Sequence, residues 1–141
     1  MKRHEFVKQF AVGGSLLVAA PFVLASCGKD DEIPEPKPIP STGIEVDLEA
    51  SAFAALKTVG GYAYQGDIII IRQTEAVYLA FSKVCTHQAC TVTYSQATGT
   101  LPCPCHGSVF TNTGAVQTGP ATQSLKRYST SVAGSKLTIK E

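Results

Sequence analysis

Two short stretches of the chain concentrate the residue types that bind metals or form disulfides. The first is KVCTHQAC, residues 83–90, and the second is LPCPCHGSVF, residues 101–110. Together they hold four of the five cysteines and two of the three histidines in the 141-residue chain. Thiolates and imidazoles are common ligands of zinc and iron, and paired thiols persist as disulfides outside the reducing cytosol. The composition of these two boxes therefore indicates a metal site, a disulfide, or both.

The number and spacing of these side chains separate the possible chemistries. The six residues are Cys85, His87, Cys90, Cys103, Cys105 and His106. They exceed the needs of a tetrahedral metal by two, and the excess is explained if two cysteines pair with each other. A structural zinc site and a site of disulfides alone remain alternatives, although a Cys-x-His pair in a tight loop is unusual for zinc fingers. A two-iron cluster with two cysteines on one iron and two histidines on the other fits the set better.

A family resemblance rests on this pattern. The segments CTHQAC and CPCHGSVF give C-x-H, fifteen residues, then C-x-x-H, which resembles the Rieske [2Fe–2S] protein family. The similarity extends to GYAYQGDIIIIRQTEAVYLAFSKVCTH, which leads into the first box, and to GSVFTNTGAVQTGPATQSLKRYSTSVAGSKLTI, which follows the cysteines and histidine of the second box. It covers about residues 44–141. The resemblance implies an all-β, antiparallel sandwich or barrel with a cluster-binding subdomain of two loops, at about residues 83–120.

The resemblance also implies a role for each residue of the boxes. Cys85 and Cys103 would ligate the buried iron of one [2Fe–2S] cluster per chain, and His87 and His106 would ligate the outer iron. Cys90 and Cys105 would form a disulfide between the two loops. Such a disulfide is typical of the quinol-oxidising members of the family and usually absent from the ring-hydroxylating oxygenases.

Four further residues are expected to tune the site. Ser108 matches the family serine whose hydroxyl bonds a bridging sulfide, and Pro120 belongs to the Gly119-Pro120 loop. Phe110 stands where high-potential members carry a tyrosine that bonds a ligand sulfur, so we expect a lower potential than theirs. Gln88 stands where the family commonly has a leucine that meets the redox partner, which favours a protein partner or a wetter site over a hydrophobic quinol pocket.

The elements that position the boxes follow from hydrophobic patterning. GIEVDLEA alternates like a half-buried strand, DIIIIR at 67–72 predicts a strand buried on both faces, and AVYLAF at 76–81 completes a hairpin. TVTY at 91–94 and GAVQ at 114–117 are short strand candidates, and the chain closes as a hairpin around AGSK. LEASAFAALKTV is the one stretch with a helical pattern.

The segment before this domain predicts export. Residues 1–26 have a basic start and a short apolar run, which is typical of a cleaved signal peptide; an uncleaved anchor is the alternative. LASC at 24–27 resembles a bacterial lipobox, which would make Cys27 the lipidated first residue. RHEFVK resembles a degenerate twin-arginine signal, with His4 in place of the second arginine, so the export route stays open. GKDDE resembles an outer-surface lipoprotein tag or is a solvated charge cluster, and residues 27–43 are proline-rich and predict a linker.

These observations predict an exported, lipid-anchored Rieske electron-transfer protein on the periplasmic or outer side of a bacterial membrane. Its redox partner would be a cytochrome, an oxidoreductase subunit or a quinol. The alternative function is the Rieske subunit of a quinol:cytochrome c reductase or an arsenite-oxidase-type complex, and the third is a structural lipoprotein without a cluster. No acid–base pair or nucleophile for stand-alone catalysis stands out. With 12 basic and 11 acidic residues, the chain shows no basic excess that would indicate nucleic acid.

Overall fold

The architecture is all-β, as predicted. A computed structural model describes residues 35–141. The elements are β1 (Ile44–Asp47), a 3₁₀ helix (Ser51–Lys57), β2 (Tyr62–Gln65), β3 (Ile68–Arg72), β4 (Tyr78–Ser82), β5 (Leu101–Pro102), β6 (Val109–Phe110), β7 (Val116–Thr118), β8 (Arg127–Ala133) and β9 (Lys136–Lys140). Every pair of neighbouring strands is antiparallel.

The strands form two separate sheets. A six-stranded sheet has the order β1-β9-β8-β4-β3-β2, and a three-stranded sheet has the order β5-β6-β7. The chain leaves the large sheet after β4, forms both boxes and the small sheet, and returns as β8, which lies beside β4. We call the large sheet the base sheet and residues 84–125 the box segment.

The buried hairpin of β3 and β4 supports a core on each of its faces. Ile68 and Ile70 pack into one apolar cluster with residues of β1, β8 and β9, while Ile69 and Ile71 pack into a second cluster. The second cluster includes the thiol-bearing residues Cys85 and Cys103. Because side chains alternate along a strand, a continuous isoleucine run can serve two cores at once. The predicted two-sided burial is confirmed.

Several local predictions agree with the structure. The hairpin between β8 and β9 turns through Gly134, whose φ of 61° lies in the left-handed region that glycine tolerates. The helical pattern forms only a 3₁₀ helix, Ser51–Lys57, with Leu56 as its buried residue. Its φ/ψ angles are interrupted at Phe53.

Other local predictions differ from the structure. Residues 91–94 form no strand: Thr91 makes one isolated bridge with Val84, and the Thr93 amide donates to Pro102. The strand predicted at 114–117 begins two residues later, because Gly114 takes a φ of 87° and closes a turn to Thr111. Strands β5 and β6 were not among the predicted strands. Each is only two residues long, too short to show a hydrophobic period.

The packed part of the chain begins within the segment predicted as a linker. Ile39 is 9% exposed and joins the core of the base sheet, and its amide donates to the carboxylate of Glu141 at 3.3 Å. The predicted signal peptide and Cys27 lie outside the described residues. Within residues 35–141, none of the helical segments has the length and apolar character to cross a membrane.

Candidate metal centre

The two boxes close in the same way. The Cys85 amide donates to the carbonyl of Cys90 at 2.8 Å, and the Cys103 amide donates to the carbonyl of Ser108 at 2.7 Å. In each box the amide of the first cysteine thus binds a carbonyl five residues further on. Gly107 makes the second loop possible with a φ of 78°, a conformation that side chains with a Cβ rarely adopt. Each loop therefore holds a Cys and a His on one compact turn.

The first cysteine of each box is buried and carries a free thiol. Cys85 is 0% exposed and Cys103 is 1% exposed, and neither forms a disulfide. Burial raises the pKa of the Cys103 thiol, and a hydrogen bond with the neighbouring Cys85 thiol raises it further. The two thiols are thus neighbours, although one belongs to the first box and the other to the second.

The two histidines form a second pair. The rings of His87 and His106 lie edge to face, with 4.9 Å between their centroids. His106 is exposed and His87 is partly buried. The Nδ1 atom of His87 is buried and has no hydrogen-bond partner among the described residues. A buried ring nitrogen without a partner is costly, so an unpaired Nδ1 indicates an atom that is satisfied by something other than protein.

The remaining two cysteines are bonded to each other. Cys90 and Cys105 form a disulfide that joins the two boxes, with 6.4 Å between their Cα atoms. The predicted pairing is confirmed. The two cysteines are 15 residues apart in sequence, so the bond closes a loop that contains the strand β5.

A third loop, residues 119–125, braces the two boxes. The Ser108 hydroxyl accepts a hydrogen bond from the Ala121 amide at 3.0 Å. The Thr86 hydroxyl, between the ligand candidates of the first box, donates to the Gln123 carbonyl at 2.6 Å. Pro120 is exposed at the start of this loop and follows a cis peptide bond. The role of Thr86 was not predicted from sequence, since only its position within Cys-x-His could have drawn attention to it.

The residues expected to tune the site take different environments. Ser108 is fully buried, and its hydroxyl hydrogen stays available because the bond to Ala121 uses only an oxygen lone pair. Phe110 is 0% exposed in the same cluster as both free thiols. Gln88 is exposed, and its carbonyl accepts a hydrogen bond from the Cys90 amide.

The donor set fits a two-iron cluster better than a single ion. Among residues 35–141, no three His, Cys, Asp or Glu side chains converge as the ligands of one metal ion would. Instead, two thiols form one pair and two imidazoles form another. Two different pairs are what a group with one Cys₂ iron and one His₂ iron requires. The buried Nδ1 of His87 is the atom that such a group would satisfy.

Comparison with protein families and proteins of known sequence agrees with this geometry. The family model described as "Rieske [2Fe-2S] domain" matches residues 45–129. The cytochrome b6-f complex iron–sulfur subunit of Chlorobaculum tepidum is 31% identical over 78 residues, which are 55% of this chain and 43% of that protein. The corresponding subunit of Trichodesmium erythraeum is 43% identical over 65 residues, 46% of this chain and 36% of that protein. The chain thus spans less than half of the length of these relatives.

Solved structures show the same architecture. The plasma membrane Rieske protein PetC3 from Synechocystis shares 32% identity, with a TM-score of 0.53 over 64% of this chain and 95% of that chain. The ferredoxin of carbazole 1,9a-dioxygenase from Nocardioides aromaticivorans, at 19% identity and a TM-score of 0.51, covers 72% of this chain and 97% of that chain. The second likeness shows the fold alone.

Proposed function

This chain belongs to the Rieske [2Fe–2S] domain family, and we propose that it works as an exported, lipid-anchored carrier of single electrons between redox proteins. Its cofactor is the Rieske [2Fe–2S] cluster of that family. The observation that carries the proposal is the division of the site into a buried thiol pair and a histidine pair nearer the surface. With its ligands divided in this way, the cluster would be buried on one side and accessible to a redox partner on the other.

We assign the four ligands accordingly. Cys85 and Cys103 would hold one iron as thiolates, and His87 and His106 would hold the other iron through ring nitrogens. Burial of both thiols and the unsatisfied Nδ1 of His87 support the assignment. When bound, the cluster supplies one-electron transfer, at a potential raised by replacement of two thiolates with neutral imidazoles.

The protein's own residues would keep the ligands fixed and the histidine edge open. Backbone bonds close each box, the Cys90–Cys105 disulfide joins them, and Thr86 and Ser108 tie them to the third loop. A rigid ligand shell keeps the reorganisation during electron transfer small. His106, which is exposed, offers the shortest path from this shell to a partner surface and an imidazole where a proton can be held.

A protein partner is favoured by the surface at the first box. Gln88 and Ala89 are exposed and offer a polar amide and a methyl group, rather than a large apolar side chain that would line a quinol pocket. The partner would be a cytochrome or an oxidoreductase subunit. We propose that lipid on Cys27 and a linker starting at this residue hold the domain close to the membrane on its periplasmic or outer side, after removal of residues 1–26.

A second function has its own supporting observation. The similarity to iron–sulfur subunits of cytochrome b6-f complexes, together with the Cys90–Cys105 disulfide, favours a subunit of a quinol-oxidising complex. An arsenite-oxidase-type complex is the related possibility. Co-purification with a cytochrome b or a large catalytic subunit from solubilised membranes would favour this second function, whereas isolation of the chain by itself supports the carrier.

Low-temperature EPR of the dithionite-reduced protein tests the cofactor and its ligands. We expect a rhombic Rieske-type signal with iron and sulfide in equal amounts, lost in His106→Ala and kept in Asn112→Ala, an exposed residue of the β6–β7 turn. An EPR-silent protein that contains zinc, or one that contains neither metal nor sulfide, would contradict the proposal. Cys27→Ser should move the protein from the membrane fraction to the soluble fraction, and retention in membranes would refute the lipid anchor.

A further inference from the structure

The box segment contains no carboxylate, ammonium or guanidinium side chain. Residues 84–125 contain no Asp, Glu, Lys or Arg, although the chain has 12 basic and 11 acidic residues in all. The described charged residues therefore all belong to residues 35–83 and 126–141, which make up the base sheet and its connections. The two histidines are the only titratable side chains of the segment besides cysteine and tyrosine, and a metal-bound imidazole is neutral.

The charge-free segment coincides with the surface that surrounds the histidine pair. The first box from Val84 onward, the second box and the third loop lie within it. Exposed residues of the boxes and of the third loop are small or polar and uncharged, among them Gln88, Ala89, Pro104, Pro120 and Thr122. The face thus has hydrogen-bonding groups and small apolar atoms, but neither a charge nor a large apolar side chain.

The charges nearest to the segment in sequence are themselves paired. Lys83 precedes the segment and lies 3.7 Å from Asp67, and Lys126 follows it and lies 2.6 Å from Glu141. Three more ion pairs on the base sheet and its connections join Lys57 with Glu49, Arg72 with Glu75 and Lys136 with Glu45. Opposite charges this close cancel at a distance, so these five ion pairs contribute only a weak field past the boxes.

An uncharged face disfavours partners that would bury a charged side chain against it. A charged side chain that is buried against it loses its hydration and finds no opposite charge, which is costly. Complementary charge patches, in contrast, accelerate association by 10- to 1,000-fold, roughly, at low ionic strength. This face supplies no such attraction.

We propose that the end of the protein that carries the histidines docks on an uncharged, polar surface of its redox partner, without electrostatic steering. The inference rests on the proposed electron-transfer function and specifies the class of partner surface. The contact would be wet and short-lived, held by hydrogen bonds and water rather than by ion pairs.

Small charged oxidants probe the face without knowledge of the partner. Reduced protein is mixed with anionic ferricyanide or with a cationic cobalt(III) tris-phenanthroline complex in a stopped-flow instrument. Ionic strength is raised from about 0.01 to about 0.1 M, which shortens the Debye length from roughly 30 to roughly 10 Å. We expect each rate constant to change by less than about twofold. Steep slopes of opposite sign for the two oxidants in the unmodified protein would overturn the proposal.

Charge variants show whether the face itself controls these slopes. Gln88→Lys and Thr122→Lys should accelerate ferricyanide and slow the cobalt complex by about three- to tenfold at low ionic strength. Ala76→Lys adds the same charge in the β3–β4 turn, at the other end of β4 from the first box, and should change neither rate by more than about twofold. Equal slopes in Ala76→Lys and the face variants would contradict the proposal, because net charge rather than the face would then govern the rates.

A spectroscopic measurement is independent of electron transfer. NMR relaxation enhancements by a cationic and an anionic nitroxide should be equal at amides of the box segment and unequal at amides near Arg127 and Lys140, which lack a salt bridge among the described residues. Unequal enhancements along the box segment would refute the uncharged face. Failure of the proposed function is distinct from either result, since the same sample would then lack the Rieske EPR signal.

Discussion

Removal of the Cys90–Cys105 disulfide should destabilise the domain by about 3 kcal/mol. The bond spans 15 residues, and cross-linking a loop of that length removes chain entropy from the unfolded state worth about this much at 25 °C. The effect should be large relative to the total stability of a domain of about 100 residues, which is typically 5–15 kcal/mol. The loops that it joins have no secondary structure longer than two residues between them.

Cys90→Ser/Cys105→Ser is the variant, and urea denaturation followed by circular dichroism and by the visible absorbance of the cluster is the assay. We expect a lower midpoint by both signals, with the visible signal lost first because the boxes lose their link before the base sheet unfolds. The matched control is Thr98→Ser/Thr113→Ser, which changes two exposed hydroxyl residues of the box segment. A loss of stability below about 1 kcal/mol would refute the entropic account of the disulfide.

Three further outcomes follow from aromatic side chains. Phe110→Tyr should raise the midpoint potential in voltammetry, because a hydroxyl donor in the thiol cluster stabilises the reduced sulfur ligands; an unchanged or lowered potential contradicts this. Tyr64→Phe should lower the unfolding free energy by about 1 kcal/mol in urea titrations, since it removes the 2.8 Å hydrogen bond from the Tyr64 hydroxyl to the Val92 carbonyl; stability equal to wild type would show that water replaces the bond. Burial raises the pKa of Tyr64 and Tyr128, so the folded state holds their phenol protons more tightly than the unfolded state does. The folding stability that this adds is present below about pH 10 and should be lost as the pH rises through the folded-state pKa values. Thermal melts that stay constant above pH 10 contradict this prediction.

Sequence patterning predicted the strands whose apolar side chains form a recognisable pattern. The isoleucine run at 68–71 is continuous and β-branched, so its two-sided burial follows directly from the sequence. The strands β5 and β6 are too short for alternation to be seen, and Pro102 in β5 has no amide to donate. At 91–94 the closure of the first box overrides the propensity of TVTY, since Val92 is fixed by a bond from its amide to Lys83.

The candidate site was likewise predicted only in part. Spacing and residue type were enough for the boxes and, through the family resemblance, for the pairing of Cys90 with Cys105. The third loop could not be predicted in the same way. Its contacts use the backbone of Ala121 and Gln123, and backbone groups leave no mark in residue identities. Ile39 was missed because a single apolar residue among prolines has no pattern.

The place where the box segment joins the base sheet bears on whether the boxes can be moved to another protein. The Ser82 amide donates to the Lys126 carbonyl at 2.8 Å, so the segment leaves and re-enters between two adjacent strands. Geometrically it is an insertion that a tight turn could replace. Its removal would nevertheless uncover Ile69, Ile71, Leu79 and Phe81, a wholly apolar sheet face that in water favours aggregation. The insert therefore covers a strand face that the base sheet could not leave exposed, and a transplant of the boxes to another scaffold has to carry that strand face with it.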